Sequence, residues 1–235
     1  MDQPNVISGN YKNFIFIGEA GSGKSEVAIN AARYLYGNKG KPVDFFDMDM
    51  TKPLFRSRDV CRQLMASGIT VHFEEQFMDA PTLASGVRRL MRSPDSYVVM
   101  DVGGDYIGAR SIGGFSKEVN REDSFIGYVV NAFRPWSDSL DHIDRILGEI
   151  LGVSHIRLQN IHIICNPNIG PDTNEEDIIR GFKQTVELIT PYKEIEYLCV
   201  KEELYERLKP KVSVPVVPIR LYLTYPWADE KIWQV

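Results

Sequence analysis

The sequence predicts an α/β fold, a three-layer sandwich built on a mostly parallel sheet. Three features carry that expectation. Short apolar runs alternate with stretches of helical period along most of the chain. The intervals between successive apolar runs are long enough for crossover helices, which parallel neighbours need and which, being right-handed, place helices on both faces of a sheet. The third feature is Gly18-Glu19-Ala20-Gly21-Ser22-Gly23-Lys24-Ser25, a glycine-rich loop set between the first apolar run and the first helical stretch.

The elements follow in order. Asn13-Phe14-Ile15-Phe16-Ile17 is a short buried strand that ends at Gly18, and Val27, Ala28, Ala31, Ala32 and Leu35 then recur at helical spacing before a stop expected at Gly37. Pro42-Val43-Asp44-Phe45-Phe46-Asp47 is the second strand, residues 54–67 are helical, and Ile69-Thr70-Val71-His72-Phe73 is the third strand. A helix over 82–92 places Leu83, Val87, Leu90 and Met91 on one side, and Tyr97-Val98-Val99-Met100-Asp101 is an apolar run ending in an acid. The alternation continues with a strand near 126–131, a helix near 139–152, a strand at 160–165, a helix near 175–189 and a strand at 195–200. In the last of these helices Ile178, Phe182, Val186 and Ile189 form one stripe, with Thr173 and Glu176 as the expected capping box.

The loop at 18–25 has the spelling G-x-x-x-x-G-K-S, and its strand-then-helix setting is the context that spelling requires. Gly18, Gly21 and Gly23 let the backbone wrap a triphosphate with its N–H groups inward, so that the loop, with Glu19, Ala20 and Ser22, forms an anion cradle. Lys24 is expected to reach the β- and γ-phosphates, Ser25 to ligate Mg²⁺, and the helix to present its positive end. Asp101 is followed by Val102-Gly103-Gly104, the pattern of an acid acting on Mg²⁺ with Gly104 close to the γ-phosphate. Asp47-Met48-Asp49 follows the second strand, where alternate side chains face opposite ways, so the two acids take different jobs. Asp49 is expected to orient the attacking water or join the Mg²⁺ shell, with Asp47 supporting it. The expected cofactors are a nucleoside triphosphate and Mg²⁺; Lys24, Asp49 and Asp101 are the expected catalytic residues, and Ser25, Asp47, Asp49 and Asp101 the expected metal set.

With 235 residues, 43% hydrophobic and 25% charged, the chain suits a single domain over residues 1–235, with no repeat or linker. A net charge of −5 argues against broad electrostatic binding to nucleic acid or an anionic membrane. No stretch approaches the roughly 18 apolar residues of a membrane span, and Met1-Asp2-Gln3-Pro4-Asn5 lacks a signal-peptide pattern, so the expected location is cytoplasmic. Cys61, Cys165 and Cys199 are scattered, as are His72, His142, His155 and His162, which points to buried thiols and structural histidines rather than a metal centre. The tail Tyr225-Pro226-Trp227 to Val235 is aromatic and short, suited to covering core or meeting a partner.

Taken together, Gly18 to Ser25, Asp47-Met48-Asp49, Asp101-Val102-Gly103-Gly104 and Asn166 at the end of a later strand resemble the ParA/MinD-like branch of P-loop NTPases, which includes the cobyrinic-acid amidase-like domains. The resemblance implies the P-loop NTPase fold and ATP hydrolysis that switches a homodimer between partner-binding states. It also implies that Asn166 contacts the base and that a loop after the last strand, around Val217-Pro218-Ile219, packs Pro218 against it. One departure stands at Glu19, where the family carries a lysine that reaches the partner's nucleotide. An acid beside phosphates is repelled, so Glu19 is expected to face solvent, a basic partner or its own subunit.

Other readings remain open on the sequence. Asp101-Val102-Gly103-Gly104-Asp105 is similar to the Asp-x-x-Gly-Gln element of signalling GTPases, but Asn166-Pro167-Asn168-Ile169 lacks the lysine and acid that read guanine. A small-molecule kinase would use arginines such as Arg56, Arg58, Arg88, Arg89 and Arg92 on the transferring phosphoryl group. A metallochaperone or cofactor-insertion factor would couple the nucleotide to a binding event. The glycine-punctuated stretch 103–116 is read either as a γ-phosphate-driven switch or as an ordinary loop with a helix start.

Overall fold

A computed structural model describes residues 10–49, 58–73 and 81–223. Its strands are β1 (Asn13–Ile17), β2 (Val43–Met48), β3 (Thr70–Phe73), β4 (Tyr97–Val102), β5 (Ser124–Val130), β6 (Ile161–Cys165), β7 (Ile195–Lys201) and β8 (Val216–Ile219). Between them lie α1 (Lys24–Lys39), α2 (Arg58–Ala66), α3 (Pro81–Arg92), α4 (Tyr106–Ser111), α5 (Ser116–Val119), α6 (Leu140–Ser154), α7 (Glu175–Ile189) and α8 (Tyr205–Leu208). The strands form one sheet in the order β3-β2-β4-β1-β5-β6-β7-β8, and every adjacent pair is parallel.

The strands are buried on both faces, which is why they read as near-continuous apolar runs rather than alternating ones. On one face Phe14, Phe16, Phe45, Val99 and Val129 pack against Val27, Ala28, Ala31, Ala32 and Leu35 of α1 and Val60 and Leu64 of α2. On the other, Ile15, Met48, Met100, Val102, Tyr128 and Val130 meet α3 through α7 by way of Val87, Met91, Ala109, Ile143 and Phe182. These are the three layers that the alternation predicts. Among the described residues no helix is long and apolar enough to cross a membrane.

Several details differ from the sequence reading. Helix α1 runs through Gly37 to Lys39 and closes at Gly40, because a glycine inside a helix weakens it without ending it. The α7 capping box is Asn174 with Asp177, not Thr173 with Glu176: Asn174 accepts from Asp177 N, and Asp177 accepts from Asn174 N. Thr173 is instead turned toward Asn168 Oδ1 and the Gly170 carbonyl. The stretch around Pro218 is not a loop but β8, the edge of the sheet, where a residue lacking N–H is tolerated. The 103–116 stretch contains α4, capped at its start by Asp105, whose side chain accepts from Gly108 N at 2.8 Å. Helices α4, α5 and α8 are too short to leave a periodic signature. Arg56 and the tail 225–235 lie outside the described residues, and so do the side chains of Arg58 and Cys61.

Candidate nucleotide site

The loop at 18–25 leaves the end of β1 and opens α1, and the sheet order places β4 and β2 on one side of it and β5 and β6 on the other. The two flanks differ in chemistry. On the first, Lys24 and Ser25 meet the strand-end acids; on the second, the loop's own backbone is held by polar side chains.

Lys24 is buried, 1% exposed, and its Nζ lies 3.8 Å from Asp49 Oδ2. Asp47 and Asp101 are register partners on the neighbouring strands β2 and β4, which brings their carboxylates to one place. Asp47 Oδ1 accepts the backbone N–H of Asp49 at 3.2 Å, so the turn after β2 folds back and the two acids of Asp47-Met48-Asp49 serve the same pocket. Asp101 is fully enclosed. Burial pushes its carboxyl up to about 7, Lys24 and a hydrogen bond with Ser25 pull it down, and Asp47 and Asp49 add to the rise. Its Oδ1 is buried and has no hydrogen-bond partner. Asp47, Asp49 and Asp101 thus gather with Lys24 in a buried pocket beside the loop. Among the described residues no group of three or more His, Cys, Asp or Glu side chains is placed to hold a metal by itself. Mg²⁺ takes one or two carboxylates and completes its shell with phosphate and water. Asp101 and the Ser25 hydroxyl, with the orphaned Oδ1, are a fitting pair of donors.

Gly104 follows at close quarters. A Cβ there would stand 2.5 Å from Ala20 N, so only glycine lets the strand-end turn touch the loop. A change in the loop is therefore felt directly by Gly104 and by α4, two residues on.

On the second flank, Asn166 at the end of β6 donates from Nδ2 to the Ser22 carbonyl at 2.8 Å. Gly23 has φ 90°, and a Cβ on it would collide with that amide at 2.1 Å, which explains a glycine here twice over. Asn166 Oδ1 is buried without a partner. Glu19, the departure from the family pattern, takes the last of its three expected directions. It is 4% exposed, accepts from Ser137 Oγ at 2.7 Å and Trp136 N at 3.2 Å, and so grips the segment after β5 in its own chain. Burial, and the nearby Glu19, push the Tyr128 hydroxyl pKa well above its usual value.

Residues that the sequence reading missed complete this flank. Arg134 Nε donates to the Gly21 carbonyl at 2.9 Å, and Asn131 Nδ2 donates to the Asn168 carbonyl at 2.7 Å. Glu26, 3% exposed, accepts from Tyr222 N and Leu223 N at 2.8 and 2.9 Å and ties the end of the described chain to α1. A charge within the apolar pattern of α1 was the available signal for Glu26; the other two carried none. Pro218 lies away from the loop, lining a cavity of about 360 Å³ between α1 and the β5–β8 half of the sheet. Two of the three arginines of α3 are engaged elsewhere: Arg88 donates to the Gly114 carbonyl at 2.9 Å, and Arg92 pairs with Glu118.

No protein-family model and no curated protein sequence matches the chain. Solved structures do. A structure of FlhF complexed with GTP and Mg²⁺ aligns with a TM-score of 0.51 at 14% identity, covering 79% of this chain and 63% of that one. Chloroplast FtsY from Physcomitrella patens aligns with a TM-score of 0.50 at 13% identity, covering 82% and 59%. A ParA family ATPase from Chlorobium tepidum gives 0.47 at 16% identity, covering 85% and 88%. The chain thus spans about three-fifths of the length of the first two. At such identities the likeness is one of fold, and the fold of this chain is that of the P-loop nucleoside triphosphatases.

Proposed function

We propose that the chain is a Mg²⁺-dependent nucleoside triphosphatase that binds ATP and uses it to switch its hold on a protein partner. The observation that carries the reading is the buried set of Lys24, Asp47, Asp49 and Asp101 gathered beside a glycine-rich loop that opens a helix. A phosphate chain with a divalent cation is the ligand that such a loop, its lysine and the strand-end acid suit. In this reading the loop N–H groups and Lys24 bind the phosphates, Ser25 and Asp101 hold Mg²⁺, and the cation supplies charge stabilisation at the transferring phosphoryl group. Asp49, already paired with Lys24, is set to orient a water against the terminal phosphate, while Asp47 holds the Asp49 turn.

Adenine is the base we assign, because Ile169 stands where the guanine-specific pattern Asn-Lys-x-Asp would place its base-reading acid and no lysine follows Asn166. FlhF, crystallised with GTP, makes guanine the alternative to test. The kinase reading loses its support at Arg88, which holds the turn at Gly114, and at Arg92, which pairs with Glu118 of α5. For the switch, Tyr106 and Ile107, 55% and 43% exposed, follow directly on Gly104, and exposed Trp136 follows the Glu19 clamp. Apolar side chains at the rim of a site whose backbone touches the phosphate loop suit a partner that senses the nucleotide.

The test is calorimetric titration with ATP and GTP, with and without Mg²⁺, while light scattering follows mass. Mg²⁺-dependent ATP binding is expected; GTP preference would replace the base assignment, and no binding of either would end the reading. In the same preparation Asp49→Ala should slow hydrolysis at least about tenfold, the scale of a lost general-base or positioning group, with little change in affinity. Equal rates would remove Asp49 from the chemistry.

A further inference from the structure

Glu19 and Arg134 stand out together: Glu19 departs from the pattern of the family the loop resembles, and Arg134, which the sequence does not mark, meets the same loop. The loop has an acid where its relatives by resemblance have a cation, and a cation arrives instead from the segment after β5. We propose that Glu19 is a positioning residue that clamps segment 131–137 against the phosphate loop, so that Arg134 supplies to the bound nucleotide's phosphates, within one chain, a positive charge. This deepens, and rests on, the nucleotide reading above.

The geometry is specific. Glu19 takes both a side-chain hydroxyl, from Ser137, and a backbone N–H, from Trp136, and Ser137 is 1% exposed. Between these anchors and β5 the chain turns tightly: Arg134 N donates to the Asn131 carbonyl at 2.9 Å and Ser137 N to the Arg134 carbonyl at 3.0 Å. Asn131 closes the other end by accepting from Phe133 N and donating to Asn168. Arg134 is therefore fixed at both sides of its own backbone. Its guanidinium lies over Gly21, where a Cβ would meet Nε, Cδ and Cζ at 3.5 to 3.8 Å.

Only Nε is used, on the Gly21 carbonyl; among the described residues no carboxylate pairs with Arg134. A guanidinium has five N–H donors in a fixed fork, so donors remain for a phosphate. The Glu19 carboxylate accepts from Ser137 and the Trp136 backbone rather than from the Arg134 guanidinium. An arginine half-exposed in a loop is ordinarily a surface residue. Here it rests on the glycine in the middle of the anion cradle, half-buried, and is carried by a segment that a buried glutamate holds down.

The full chain is titrated with Mg²⁺ and ATP, ADP or AMP for the wild type, Arg134→Ala, Arg134→Lys, Glu19→Ala, Glu19→Gln and the double variant Glu19→Ala/Arg134→Ala. Arg134→Ala should weaken ATP and ADP about tenfold, the scale of one charge-assisted contact, and AMP much less. Arg134→Lys should recover part of the loss. Glu19→Ala should give the same ADP-to-AMP discrimination as Arg134→Ala, and the double variant should lose no more than either, since both remove one contact. Glu19→Gln keeps the shape of the clamp and should fall between wild type and Glu19→Ala, which leaves the coupling measurable if Glu19→Ala folds poorly. Wild-type affinity in Arg134→Ala, or losses that multiply in the double variant, would overturn the proposal. A wild type that binds no nucleotide would overturn the site reading and this proposal together.

Discussion

The two flanks of the phosphate loop solve opposite problems. Toward β4 and β2 the site crowds Asp47, Asp49 and Asp101 around Lys24 and leaves Asp101 Oδ1 without a partner. Toward β5 and β6 the loop carbonyls of Gly21 and Ser22 receive Arg134 and Asn166, and Glu19 receives Ser137 and Trp136. One flank gathers buried acids around Lys24; the other is bonded to the loop itself. On the proposed reading the first flank receives the ligand and the second fixes the shape that receives it, so each should respond differently to Mg²⁺.

Lys24→Ala tests the boundary between the flanks and should have the largest effect. It removes the buried ammonium beside Asp49, and triphosphate affinity should fall at least about 100-fold, near 2.8 kcal/mol at a factor of ten per 1.4 kcal/mol. The protein should remain folded by circular dichroism. Unchanged affinity would mean that the loop is not the nucleotide site.

Asp101→Asn separates the flanks more finely. A buried carboxylate with its pKa raised to about 7 is costly to ionise where it sits, and a neutral amide of the same shape relieves that cost. Without ligand the variant should melt at a higher temperature, by about 1 kcal/mol of stability, in the manner of stabilising changes at functional sites. With ligand it should lose the Mg²⁺-dependent part of ATP affinity. A lower melting temperature would show that the acid flank is structural.

Asn166→Ala is the matching change on the other side. It deletes the Nδ2 bond to the Ser22 carbonyl and leaves that carbonyl unmet, a loss of about 1–2 kcal/mol. Its effect on nucleotide affinity should be equal with and without Mg²⁺. A loss seen only with Mg²⁺ would erase the distinction between the flanks.

The acid flank was legible in the sequence and the polar flank was not, for a physical reason. Gly18 to Ser25, Asp101 and Asp49 sit at strand ends and in a loop of fixed spelling, so local spacing announces them. Arg134 and Ser137 act on residues more than a hundred positions earlier, and nothing local distinguishes them from surface residues. Asn166 was found only through the resemblance, and its partner, Ser22, only through the fold. The strands and long helices were legible because burial on both faces and helical period are local patterns; β8, four residues with a proline, and the one-turn helices α5 and α8 were too short to show one. Glu19 was left open between solvent, a partner and its own chain, which is where it binds, since repulsion from phosphates says where an acid will not go and not what will bind it.

The smallest effect concerns Cys165, which ends β6 immediately before Asn166. Burial raises its thiol from the usual 9 to about 12, opposed by a hydrogen bond with Thr185, and burial raises Cys199 as well. A thiol whose pKa is higher in the folded state than in the unfolded one gives its full stability below about pH 9 and loses it as pH rises through the folded value. Stability should therefore decline from about pH 9 upward, more gently in Cys165→Ala, which substitutes a group that cannot ionise. Because that strand end positions Asn166, the alkaline loss in the wild type should weaken nucleotide affinity equally with and without Mg²⁺. An alkaline loss confined to the Mg²⁺-bound form would place it on the acid flank instead.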